Sequence, residues 1–334
     1  MRARTGHRCA TDIHDTMTSF AFVFPGQGSQ AVGMLDAWAG HPAVAETLRE
    51  ASDALDEDLA SLIRNGPKEA LALTTNTQPV MLVAGVAAWR AWLAEGGAKP
   101  SVVAGHSLGE YSALVAAGAL TLAQAAPLVR FRAQAMQQAV PVGVGAMAAV
   151  LGMPADKVVA GCAEVTASFG ADSAEVVEAV NFNDPMQTVI AGSKAAVDKA
   201  CEVLKAQGAK RALPLPVSAP FHSSLMRPAA EALREKLASV EFAEPQIAVL
   251  NNIDVAVEVE PDRIRDALVR QAAGPVRWVE SVQALQARGV TAVIECGPGR
   301  VLTGMVKRVV PELIAASVYD PATLAETRQL LNTP

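Results

Sequence analysis

Short apolar runs alternate with longer Ala- and Leu-rich stretches along most of the chain, a pattern that predicts a layered α/β protein. Phe20-Ala-Phe-Val-Phe24 is apolar at every position and stops at Pro25-Gly26, which reads as a strand buried on both faces and opening into a turn. Helices are predicted around 43–55 and 78–93, then a strand over 101–104, a tight turn over 105–109 and a buried helix over 110–119. From Ala146 the texture changes. A strand over 146–151, a helix over 155–166, strands over 176–181 and 187–191, a helix over 194–207 and a strand over 211–215 follow one another. That β-α-β-β-α-β order within ~70 residues is the ferredoxin-like pattern, and it predicts a small domain (145–216) inserted into a larger α/β domain built from 19–144 and 217–334. Beyond the insert the alternation resumes, with helices over 225–238, 261–271 and 277–288 and strands over 247–250 and 292–295.

Composition narrows the class. Of 334 residues 51% are apolar but only 4% aromatic, so a sizeable core of Val-rich strands and Ala-rich helices is expected. The net charge of −6 comes without clustered cations, which argues against a nucleic-acid partner. Four scattered cysteines (Cys9, Cys162, Cys201, Cys296) form no CxxC pair and sit at no metal-ligand spacing, so free thiols in a reducing cytoplasm are expected. No apolar run reaches the ~18 residues of a membrane span. Residues 1–18 carry Arg2, Arg4, His7, Arg8 and His14 and almost no large apolar side chain, and they read as a disordered or untranslated extension. Met17 is an alternative start, and Asp12 and Asp15 argue against a transit peptide.

The chemistry centres on Gly105-His-Ser-Leu-Gly109, a G-x-S-x-G placed between a strand and a helix. Such a turn exposes the serine hydroxyl, and its glycines let neighbouring backbone approach. The Leu108 amide and the helix N-terminus then face a developing oxyanion. A serine needs a base, and there are five histidines. His7 and His14 lie in the extension, and His41 precedes a proline in a loop. His106 adjoins the serine on a sharp turn, which suits a structural or substrate-facing role. His222 remains as the general base. The candidate acids between Ser107 and His222, Asp156, Asp172, Asp184 and Asp198, fall in the insert, poorly placed to orient it, so a backbone carbonyl is expected at its other nitrogen. The loop Pro25-Gly-Gln-Gly-Ser-Gln30 supplies a backbone donor at Gln27 to complete the oxyanion hole. Read as Gly26-x-Gly28-x-x-Ala31, the same loop fits a dinucleotide fingerprint, which keeps a nucleotide-binding oxidoreductase as an alternative.

With Pro25–Gln30, Gly105–Gly109 and Phe221-His222 in this order, the chain resembles the malonyl-CoA:acyl carrier protein transacylases of bacterial fatty-acid synthesis. Asn181-Phe-Asn183, Leu213-Pro-Leu-Pro216 and Gly297-Pro-Gly299 add to the match, which runs from about Thr18 to the last helix. The resemblance implies an α/β-hydrolase-like large domain with a ferredoxin-like insert. It further implies that Ser107 takes the malonyl group as an ester, that His222 shuttles the proton, and that the backbone carbonyl of Gln271 holds the histidine. Gln27 and Leu108 would supply the oxyanion amides. Arg132 would bind the substrate's free carboxylate, a task that suits a guanidinium; without the family it reads as one of two arginines on a solvated helix face. Asn181 and Asn183 would lie near the pantetheine arm, Phe221 would leave no room for a 2-methyl group, and His106 would face substrate. Two features depart from the family: the extension, and the stretch 166–178, which reads as a long surface loop.

The expected cycle is ping-pong, from malonyl-CoA to the phosphopantetheine of acyl carrier protein, inside a narrow tunnel that excludes water. No bound cofactor or metal is expected, and the protein is expected to be a monomer. Carrier proteins of this kind are acidic and so is this chain, so a local basic patch must steer docking: Lys210-Arg211, Arg263 with Arg265, or Lys307-Arg308. A serine thioesterase or esterase using the same nucleophile is the main alternative. The carrier protein's pathway, fatty-acid or polyketide, stays open.

Overall fold

The computed structural model describes residues 19–217 and 219–332. The expected extension, 1–18, lies outside the described residues.

β1 (Phe20–Phe24) is buried along its whole length because helices cover both its faces. Its side chains alternate: Phe20, Phe22 and Phe24 enter one apolar cluster, Ala21 and Val23 the other. Four more strands complete its sheet: β2 (Val102–Gly105), β7 (Ala248–Leu250), β8 (Ala292–Cys296) and β9 (Ile314–Val318). The order is β7-β2-β1-β8-β9, every pair parallel. Preceding β2 are α1 (Pro42–Leu55), α2 (Leu59–Asn65), α3 (Lys68–Ala72) and α4 (Thr74–Ala94). After it come α5 (Gly109–Ala116) and α6 (Leu122–Gln138), the latter opened by a capping box at Thr121 and Gln124. The Phe-rich face packs on α4, where Phe22 meets Trp89 and Trp92 edge-on at 5.6 and 5.2 Å between centroids.

The second sheet contains β3 (Gly145–Leu151), β4 (Val177–Asp184), β5 (Gln187–Ser193) and β6 (Arg211–Pro214) in the order β4-β5-β3-β6, all neighbours antiparallel. α7 (Ala155–Ser168) and α8 (Lys194–Ala206) bury Val158, Cys162, Ala200 and Leu204 against it. The remaining helices are α9 (Arg227–Ala238), α10 (Pro261–Ala272), α11 (Trp278–Ala287), α12 (Val301–Val309) and α13 (Pro321–Leu331). α11 and α12 cover the Ala21/Val23 face of the parallel sheet. Backbone bonds tie β4 to the segment before α11: the Val276 amide donates to the Val180 carbonyl at 2.8 Å and the Phe182 amide to the Val276 carbonyl at 3.0 Å.

Three details differ from the sequence reading. The stretch 166–178 is not one loop, because α7 runs to Ser168 and β4 starts at Val177. A 3-10 turn at Asp36–Trp38, which the sequence reading did not name, precedes α1, and Gly28 and Gly33 before it hold φ of +116° and +75°. β9 was not expected: the apolar run Leu313–Ala316 that opens it is short, and its first three residues are not buried. Among the described residues no helix is long and apolar enough to cross a membrane.

Candidate active site

Ser107 stands where β2 turns into α5, with φ +52°. Three glycines make that turn possible, since their backbones touch others. A Cβ on Gly105 would lie 1.9 Å from the Gly109 carbonyl carbon, one on Gly109 2.0 Å from the Phe24 oxygen, and one on Gly26 2.6 Å from the His106 oxygen. Ser107 Oγ lies 2.6 Å from His222 Nε2, and His222 Nδ1 lies 2.9 Å from the Gln271 carbonyl oxygen. A carbonyl can only accept, so Nδ1 carries the proton and Nε2 is bare, ready to accept from the serine hydroxyl. Burial, with the Arg132 charge adding to it, pushes the His222 pKa down to about 3, so the imidazole is neutral at pH 7.

Arg132, on α6, is 2% exposed. Its Nη1 donates to Gln78 Oε1 at 2.7 Å, and its Nη2 to Gln271 Oε1 at 3.1 Å and Ser107 Oγ at 3.3 Å. The guanidinium lies 5.5 Å from the Tyr111 ring centroid, and its Nε has no partner. Among the described residues no carboxylate is hydrogen-bonded to it. Arg132, Gln78, Ser107 and His222 line a cavity of about 120 Å³, walled by Met136, Met147, Leu215, Val217 and Phe221. A second groove, of about 590 Å³, shares Gln27, Met147, Leu215 and Val217 with that cavity.

A serine hydroxyl, an imidazole held by a carbonyl and a buried arginine thus converge in one small pocket. An acyl transferase domain model matches residues 21–328. The malonyl CoA-acyl carrier protein transacylase of Escherichia coli (strain K12) is 51% identical over 315 residues, which is 94% of this chain and 100% of that protein. A solved acyl-carrier-protein S-malonyltransferase from Burkholderia pseudomallei 1710b is 64% identical with a TM-score of 0.90, covering 93% of this chain and 99% of that one. The chain belongs to the malonyl-CoA:acyl carrier protein transacylase family. A third neighbour, described as a type II PKS acyl-carrier protein in complex with its malonyl-transacylase, is 50% identical with a TM-score of 0.90 over 94% of this chain and 100% of that one.

In this transacylase the Gly26–Ala31 loop packs against the nucleophile turn, and no helix opens at its end to receive a pyrophosphate. Gln27 and Leu108 both line the cavity, and among the described residues neither backbone amide donates to a protein acceptor. No side chain caps α5. Asn181 lines the cavity with its Oδ1 unpartnered. Asn183, expected beside the pantetheine arm, instead is buried and does not line the cavity; its Oδ1 accepts from His106 Nε2 at 2.8 Å. His106 lines the cavity from that anchored position, and burial lowers its pKa.

Four side chains of this transacylase's site escaped the sequence reading. Asn252 Oδ1 accepts from the Ser107 amide at 2.7 Å, and Asn252 Nδ2 donates to the Gly105 carbonyl at 2.6 Å. The Gln271 side chain, Gln78 and Glu110 also join the network. Two signals were available: Glu110 is the one charged residue in a buried helix, and Asn252 follows a strand's carboxyl end, where α/β sheets place ligands.

Proposed function

We propose that Ser107 carries a malonyl group from malonyl-CoA to the phosphopantetheine thiol of an acyl carrier protein. The observation that carries this reading is Arg132: a buried guanidinium, 3.3 Å from the nucleophile, bonded only to neutral groups. A buried guanidinium with no carboxylate in direct contact is costly, and Glu110 reaches it only through the Gln271 carboxamide. The free carboxylate of a malonyl thioester supplies a directly paired anion, and an acetyl thioester has none. The names of the E. coli relative and the PKS complex support the carrier protein as acceptor.

The steps follow from the geometry. His222 Nε2 takes the Ser107 proton as Oγ attacks the thioester carbonyl. The amides of Gln27 and Leu108 receive the oxyanion, with the α5 N-terminus behind them. The C–S bond breaks and the imidazolium returns its proton to the departing coenzyme A sulfur. In the second half the carrier protein's thiol gives its proton to His222, attacks the malonyl ester, and Ser107 leaves with that proton. Asn181 Oδ1 offers an acceptor for a pantetheine amide. Phe221 crowds the substrate's second carbon, and the apolar wall keeps water from the ester.

The same reading takes 145–216 as a ferredoxin-like domain inserted between 19–144 and 217–334; the antiparallel sheet is built from consecutive strands in that stretch. It takes the protein as a cytoplasmic monomer that needs no bound cofactor, with the buried free thiols of Cys162, Cys201 and Cys296 consistent with a reducing compartment. For carrier docking it selects Lys210-Arg211. Both are exposed without an acidic partner among the described residues, and β6 leads into Pro214–Val217 on the groove wall. Arg263, Arg265 and Arg308 are paired with Glu258, Asp262 and Asp184.

Labelled malonyl-CoA tests the whole. A stable label on Ser107 that passes to added carrier protein is expected; steady release of malonate without transfer would mean a hydrolase.

A further inference from the structure

We infer that Glu110 is a positioning residue whose single oxygen, Oε2, sets both the nucleophile's turn and the aim of the substrate-binding arginine. The inference rests on the reading of Arg132 given above.

Glu110 lies three residues beyond Ser107 on α5, is 2% exposed and does not line the cavity. It touches none of the reacting atoms. Its Oε2 accepts two hydrogen bonds, from the Asn252 amide at 2.9 Å and from Gln271 Nε2 at 2.9 Å. Asn252 brackets the nucleophile, taking the Ser107 amide and donating to the Gly105 carbonyl. Glu110 therefore anchors the backbone from which that bracket projects.

Gln271 is the second arm. A carboxamide has a donor end and an acceptor end, and turning it over exchanges them. Here Nε2 meets two pure acceptors, Glu110 Oε2 and the Ser107 carbonyl at 3.1 Å, so Oε1 is left facing Arg132 Nη2. Turned over, the amide would present its NH2 to a guanidinium and leave Glu110 without that donor. Glu110 thus fixes which end Arg132 sees, and the carbonyl of the same Gln271 holds His222 Nδ1. Burial pushes the Glu110 carboxyl up to about 7, so the site keeps a costly group on a helix buried along most of its length.

Both bonds go to one oxygen, so an amide oxygen can replace it. Glu110→Gln should keep the preference for malonyl-CoA over acetyl-CoA, read as the ratio of kcat/KM for Ser107 acylation, within about threefold. Glu110→Met, similar in length but without an acceptor, should lower that ratio at least roughly tenfold, the size of one charge-assisted hydrogen bond. Gln271→Met should lower it similarly, and the double variant should lose no more than the larger single loss. An unchanged ratio in Glu110→Met, with only a lower melting temperature, would leave Glu110 a purely structural residue and overturn the inference. If Glu110→Met does not fold, an unchanged ratio in Gln271→Met overturns it equally. A wild-type protein that acylates equally from both thioesters would bring down the Arg132 reading first, and this inference with it.

Discussion

Ser107 and His222, whose side chains meet at 2.6 Å, both hold left-handed backbone, with φ +52° and +66°. For an L residue that region costs roughly 1–2 kcal/mol, so both reacting groups sit at strained points of the chain. The contacts around them hold that strain. Asn252 brackets the serine, and after the histidine Ser223 bonds back to the Pro220 carbonyl through its hydroxyl at 2.7 Å. What the strain achieves is aim: two side chains 115 positions apart in the chain converge without a linking carboxylate.

Ser107→Ala keeps the β-carbon and the turn, so its melting temperature should stay within about 2 °C of wild type. Intact mass after exposure to malonyl-CoA should show no adduct, and transfer to carrier protein should fall by several orders of magnitude. An adduct on the variant would place the nucleophile elsewhere.

Removing the guanidinium separates substrate choice from chemistry. Arg132→Ala should cut kcat/KM for malonyl-CoA by roughly 10- to 100-fold, the range of a charge-assisted pair, while acetyl transfer changes only a few-fold. Competition between the two thioesters reads this ratio directly; an unaltered preference would assign the carboxylate to another group.

The pH profile follows from His222. Its pKa is lowered to about 3, first by burial and then by the Arg132 charge, so the active neutral imidazole persists as the medium becomes more acidic. Pre-steady-state acylation should therefore show no histidine limb between pH 7 and 5, where an ordinary imidazole would lose its basic form near 6.5. Arg132→Met removes one of the lowering causes, so the limb should move upward. Glu110, at about 7, does not add a limb of its own, because Oε2 remains an acceptor whether or not the other oxygen is protonated.

Charge reversal at Lys210 and Arg211 probes docking alone. The KM for carrier protein should rise about tenfold and that for malonyl-CoA should stay put, with the gap shrinking in high salt. Equal changes in both constants would reject this surface.

How much of this was readable in the chain depended on locality. The nucleophile turn is a property of consecutive residues, and Gly105, Ser107 and Gly109 declare it because only small residues fit where the backbones touch. His222 followed from there being so few histidines. Arg132 could not be judged from its own helix. It and Arg130 stand two residues apart, roughly 200° around the axis, so Arg130 reaches Glu57 near the surface while Arg132 points inward. Glu110, Asn252 and Gln78 come from three elements that only the parallel sheet and its crossovers assemble, and no spacing announces them. The bond between Asn183 and His106 was hidden for the same reason: the two lie 77 positions apart in the chain.

The cage around Arg132 is built from carboxamides, Gln78 and Gln271, a choice with a chemical liability. At Gln78, whose NH2 meets only the Met136 sulfur at 4.0 Å, exchanging that NH2 for O−, whether by a single-codon change to glutamate or by slow deamidation in an ageing preparation, would lodge a permanent counter-ion beside the guanidinium. Such a molecule would keep its shape and its reactive serine yet compete with its own substrate, a form of inactivation that mass spectrometry would see as a gain of about 1 Da and that stability measurements would miss.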